Sequence, residues 1–218
     1  MAERATTAAG LVREQFTRAD GGFRFARWGR DPAPAVFGAD AATERLLTGA
    51  LSAVAGLAGL EVAEEDPEFG KNALTFVATG WDGFADVPGL DRLAPEFERL
   101  KPTLMATGAN QYRWFHFEPG GAIRTTVAML VTDAAMTGGD ARALALMEAA
   151  QTLLLWSETA FLGRRAVAIT EGGRAALDPW LADLISAAYD PALPDATGNP
   201  ALAERLAVGM RALREARG

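Results

Sequence analysis

The sequence predicts a soluble α+β domain: a mixed, mostly antiparallel sheet packed by helices, with a helical C-terminal part. Three observations predict it. The chain has 218 residues, 50% hydrophobic and 22% charged, the size and balance of one globular domain rather than of a disordered chain. An aromatic-rich run, Gln111 to Phe117, and a β-branched run, Ile123 to Thr132, flank Pro119-Gly120-Gly121, which is a hairpin signature. Helical periodicity then dominates residues 141–158, 178–189 and 200–216. No composition shift marks a second domain, so residues 1–218 are taken as one unit, sheet-rich over 1–135 and helical over 136–218.

The elements follow in order. A short helix is expected over 5–19, closed by Asp20-Gly21-Gly22. Phe23 to Trp28 and Ala33 to Phe37 read as strands around the turn Gly29-Arg30-Asp31-Pro32. Asp40 is placed to N-cap a helix to about Gly56, with Leu46, Leu47, Leu51 and Val54 on one side. Leu60 to Val62 and Ala73 to Ala78 read as strands on either side of the acidic loop Glu64-Glu65-Asp66-Pro67-Glu68. Residues 81–101 are helical in parts, interrupted at Pro88-Gly89 and Pro95. After the hairpin, Asp140 is placed to N-cap helix 141–158. Val167 to Thr170 reads as a short extended piece, and a linker rich in Pro, Gly and Asp, 190–200, separates the last two helices.

Composition excludes several chemistries. Lys and Arg total 21 and Asp and Glu 28, a net charge of −7, which disfavours nucleic acid and anionic membranes as partners. There is no cysteine, hence no thiolate nucleophile, disulfide or thiolate metal site. No apolar stretch is long enough to span a bilayer, and the N-terminus reads without a secretory leader. The expected location is cytoplasmic, or periplasmic if a signal sequence precedes these residues. No Walker-type lysine pattern or G-x-G-x-x-G run appears, and no cofactor is expected.

The single histidine, His116, lies mid-strand on the face of Tyr112 and Trp114. Period-two alternation makes it a cross-strand packing residue before it is a general base. Carboxylates remain. Leu144, Met147, Glu148, Gln151, Leu155 and Glu158 follow one another at spacings of three or four and share one helical face. A carboxylate beside Met147 and Leu155 is a candidate general acid if burial raises its pKa. The plainer expectation is that Glu148 and Glu158 lie at the solvated edge of an amphipathic stripe.

The order of elements resembles the zincin-like metallopeptidase fold, in which a strand-rich part precedes a long helix bearing His-Glu-x-x-His. The corresponding helix here reads Leu146-Met147-Glu148-Ala149-Ala150-Gln151. Met147 and Gln151 stand where that motif has its histidines, and Glu148 stands at its glutamate. The chain is also similar to a proteobacterial family of putative lipoproteins of unknown function. The similar stretches are Arg27-Trp28 with Pro34 to Phe37, Glu148-Ala-Ala-Gln151, and Asp178 to Tyr189-Asp190-Pro191. The resemblance implies a zincin-shaped domain with a degenerate motif and no metal, because thioether and amide side chains are poor zinc ligands. It further implies a groove suited to an extended peptide.

Three functions stay open on this reading. The first is a non-catalytic domain that binds a protein or peptide. The second is a metal-independent hydrolase using Glu148 with Glu158, or with Asp133 at the hairpin end. The third is a structural or assembly role built on the alanine-rich helices.

Overall fold

The computed structural model describes residues 7–132, 141–162, 166–169 and 174–218. Its helices are α1 (Ala8–Glu14), α2 (Ala41–Leu57), α3 (Leu90–Leu93), α4 (Phe97–Ala106), α5 (Ala141–Leu153), α6 (Pro179–Ala188) and α7 (Leu202–Glu215), with a 3₁₀ turn at Trp81–Phe84. The strands are β1 (Phe25–Ala26), β2 (Pro34–Phe37), β3 (Ala73–Ala78), β4 (Gln111–Phe117), β5 (Ile123–Val131), β6 (Val167–Ile169), β7 (Ala175–Leu177) and β8 (Ala196–Thr197). Asp133 and Asp140, named above as a candidate acid and a cap, lie outside the described residues.

The central sheet has the order β2-β3-β5-β4. The β2–β3 and β3–β5 joints are parallel, and the β5–β4 hairpin is antiparallel. Two small ladders, β1–β8 and β6–β7, are also antiparallel. The fold is therefore α+β with mixed sheets, and its antiparallel content lies in the hairpin and the two ribbons. Parallel neighbours need crossovers. Helix α2 bridges β2 to β3, and the segment containing α3, α4 and β4 bridges β3 to β5.

Alternation along the strands sends side chains to two different cores. Phe76, Val127, Met129 and Val131 face one side, where Trp81, Phe84 and Phe97 pack with partly buried Tyr112 and Trp114. The other side carries α2 and α5, whose Leu51, Val54, Ala145, Ala149 and Leu153 belong to a larger cluster running on to α6 and α7. No described helix is long and apolar enough to cross a membrane.

Asp40 caps α2 as expected, its Oδ1 accepting from the Thr43 N–H at 2.7 Å. The helix ends in a Schellman turn: Gly59 takes φ 69°, the Leu60 N–H bonds the Ala55 carbonyl at 3.0 Å, and the Gly59 N–H bonds Gly56 at 3.2 Å. This corrects the strand expected at Leu60 to Val62. The Leu60 amide is spent on the cap, Glu61 N–H goes to the Asp31 carboxylate at 3.1 Å, and Ala63 N–H goes to the Pro32 carbonyl at 3.0 Å. No ladder partner is left for the segment.

Helix 141–158 is corrected too. It stops at Leu153, and Leu154 instead bridges Arg27 while the Leu155 N–H bonds the Ala26 carbonyl at 2.9 Å. Leu155 and Glu158 therefore do not extend the helical face of Met147 and Glu148. The N-terminal helix is shorter than 5–19, because Thr7 caps it and it ends at Glu14.

A polar clasp fixes the loop before β3. Arg30 binds Asp66 at 3.1 Å, Glu68 at 3.2 Å and also Glu118 beyond β4. Burial alone would raise the Asp66 pKa, but the backbone N–H groups of Phe69 and Glu68 and the Arg30 guanidinium outweigh it and hold the carboxyl below its ordinary value. A depressed folded-state pKa contributes stability that is present above the unfolded value and is lost as pH falls through the folded one. Denaturation curves taken over a pH series are expected to show wild type losing its advantage over Asp66→Asn below roughly pH 4. A difference that is the same at every pH would contradict this.

Candidate functional site

The C-terminal end of α5 is capped by side chains from distant parts of the chain. Its last carbonyls have no helical donors. Trp28 Nε1 bonds Thr152 O at 2.8 Å, Tyr189 Oη bonds Leu153 O at 2.6 Å, and Trp156 Nε1 bonds Ala150 O at 2.9 Å. Tyr189 Oη also accepts from the Trp28 N–H at 3.2 Å. Burial pushes the Tyr189 phenol well above its ordinary pKa, so it remains a donor.

Arg27, beside Trp28, is buried. Its guanidinium donates to the carbonyls of Ala188 at 2.8 Å, Asp190 at 3.0 Å and Leu193 at 3.0 Å, and to Asp195 Oδ1 at 2.8 Å. It also lies 5.5 Å from the centre of the Tyr189 ring. Arg27-Trp28, the end of α5 and Tyr189-Asp190 thus form one connected structure, although they are far apart in sequence.

That structure ties the end of α5 to β1 and to the segment after α6. Asn110 O accepts from Val131 N–H at 2.8 Å, which fixes the phase of the antiparallel hairpin. The main-chain groups of Tyr112 and Trp114 then point toward β5, and those of Gln111, Arg113 and Phe115 point to the open edge of β4. No described residue hydrogen-bonds to those edge groups.

The side chains of this set turn toward α5. Arg113 Nη1 donates to Gln151 Oε1 at 2.7 Å, and Nη2 donates to Glu148 Oε2. The Arg113 and Glu148 side chains are 9% and 7% exposed. Glu148 is therefore buried and paired, which corrects its expected place at a solvated edge. Arg113 Nε is buried with no hydrogen-bond partner.

Next to this pair a recess of about 200 Å³ opens between α2, α5 and the ends of β3 and β5. Leu46, Val77, Leu130, Leu144 and Met147 give it apolar walls, and Glu148 also lines it. Met147 packs partly into the larger core.

The other candidates lie elsewhere. Glu158 binds Arg18 at 2.7 Å and the Ala19 N–H at 3.1 Å, and its side chain is 47% exposed. It is solvated, but it lies beyond the helix on whose edge it was expected, and it answers to a different cation from Glu148. His116 sits on the opposite sheet face, its Nε2 2.9 Å from the Leu93 carbonyl at the end of α3. A carbonyl only accepts, so Nε2 carries the proton. Among the described residues no group of three or more His, Cys, Asp or Glu is placed to hold a metal ion.

The structure thus brings Glu148 and Gln151 together with Arg113, which sequence reasoning did not single out. Its signal was present: alternation places residue 113 opposite Tyr112 and Trp114, a cation on the strand face that meets an acid-bearing helix. No family model matches the chain, and neither a curated protein nor a solved structure matches it.

Proposed function

We propose that the chain is a non-catalytic, zincin-like domain that binds an extended peptide or protein segment along the open edge of β4. The observation that carries this reading is the Arg113–Glu148–Gln151 contact. A general base needs a carboxylate within reach of substrate and a lone pair to receive the proton. Here one Glu148 oxygen is engaged by a guanidinium, and the whole side chain is buried. Gln151 and Met147 add an amide and a thioether, which hold divalent zinc poorly.

The arrangement of elements also supports the reading. An antiparallel edge strand, β4, lies beside β5, and the helix with Glu148 follows. The free main-chain groups at Gln111, Arg113 and Phe115 suit strand addition, in which backbone hydrogen bonds supply affinity and alternate side chains supply selectivity. The apolar recess beside α5 is where such selectivity would arise.

Unfolded proteins and mixed peptides incubated with the protein, with and without added zinc, are expected to remain intact. Cleavage that is abolished in Glu148→Gln would overturn the non-catalytic reading.

A further inference from the structure

We propose that the exposed face of α7 is a self-association surface, which pairs with α7 of a second copy of this chain in an antiparallel, two-fold arrangement. The inference is independent of the proposed function. Glu204, Ala207, Val208 and Arg211 follow one another along one side of the helix. All four line an open groove of about 460 Å³, to which α1 contributes Ala8 and Ala9 and α6 contributes Trp180. Val208, between the two charged residues, is 55% exposed.

The charges on this face have no partner within the described chain. Arg214, one turn beyond Arg211, binds the buried Asp183 at 2.6 Å, and Arg217 shares that carboxylate. Glu204 and Arg211 make no ion pair with a described residue. They lie about 10 Å apart along the helix axis, too far to answer each other. The helix dipole accounts for an acid in the first turn, where Glu204 lies. It does not account for a bare valine with an arginine the same distance beyond it.

Self-complementarity decides the partner. Glu204 and Arg211 are equidistant from the midpoint between Ala207 and Val208. A two-fold axis through that midpoint, with the helices antiparallel, sets Glu204 against the partner's Arg211 and Arg211 against the partner's Glu204. That is the reciprocal pattern of a symmetric dimer. The two valines meet at the axis, beside the grooves that Ala8, Ala9 and Trp180 line. A parallel pairing would set like charges together, and a partner of a single sign would satisfy only one end of the face. Two copies of net charge −7 repel at a distance, and one helix face is a small contact, so the dimer forms at high protein concentration.

Sedimentation equilibrium of the full chain, up to about 1 mM protein in about 0.15 M salt, tests this. The expected result is a mass that rises with concentration from 23.0 kDa toward twice that value. Glu204→Arg and Arg211→Glu are each expected to weaken the dimer at least about tenfold, because each sets like charges together at both ends of the contact. The double variant restores the opposite pairs and is expected to return to within about threefold of wild type. Val208→Asp is expected to abolish association, with an unchanged thermal melt at low concentration showing that the fold is intact. A wild type that stays monomeric throughout would overturn the proposal and leave the groove to another occupant. A dimer indifferent to the single reversals, or a double variant no better than either, would also overturn it.

Discussion

Replacing Arg27 with methionine is expected to lower the stability of the fold by about 3–5 kcal/mol, the cost of removing one partner from a buried charged network. The loss does not come mainly from the ion pair, because Asp195 is half exposed and rehydrates. It comes from the carbonyls of Ala188 and Leu193, which receive the guanidinium in buried positions. Each carbonyl left without a donor costs about 1–3 kcal/mol. Lysine is expected to recover little. Its compact ammonium cannot span acceptors that the planar guanidinium reaches with Nε and both Nη atoms. Urea denaturation followed by far-UV circular dichroism measures the difference, and a loss below about 1 kcal/mol would contradict the role given to Arg27.

The second large effect is at Arg113. Arg113→Met leaves the Glu148 carboxylate buried beside Gln151 with no cation, and a loss of about 3–5 kcal/mol is expected. The informative variant is the pair. Arg113→Met combined with Glu148→Met removes both charges and fills the space with apolar atoms, and buried ion pairs replaced in this way often come out near neutral. The double variant is therefore expected to be more stable than Arg113→Met alone, with a coupling energy of about 1–3 kcal/mol in the cycle. Additive losses would mean that the two side chains do not depend on each other.

The sequence made visible the elements whose signals are local. Asp40 and the apolar spacing behind it marked α2, and the strand at Ala73–Ala78 came out with its observed bounds. The aromatic and β-branched runs marked the β4–β5 hairpin. Elsewhere the deciding contacts lie far apart in the chain. Helix α5 ends at Leu153 because Trp28 and Tyr189 cap it and β1 takes up Leu154 and Leu155; nothing in the local periodicity of 141–158 carries that information. The ladder between β1 and β8 is two residues long, too short for any alternation to register, and it lies in what reads as a linker. Leu60 to Val62 looked like a strand because of its side chains, whereas its amides were committed to a helix cap and to the Asp31-Pro32 turn.

The candidate site divides in the same way. Helical spacing put Leu144, Met147, Glu148, Gln151, Leu155 and Glu158 on one face; Glu148 and Gln151 do meet one partner, Arg113, whereas Leu155 and Glu158 lie beyond the helix. What that face meets depended on the register of β4 against β5, which one residue of slip would have reversed. Arg113 in place of a neutral residue changes the chemistry of the face. It turns a candidate general acid into one half of a buried ion pair.

Amide hydrogen exchange of β4, measured with and without an excess of a mixed extended-peptide library, tests the central claim most directly. Slowed exchange at the N–H groups of Gln111, Arg113 and Phe115, with Tyr112 and Trp114 already protected by β5, is the predicted result. Unchanged exchange at those three amides, or library peptides recovered as cleavage products, would contradict it.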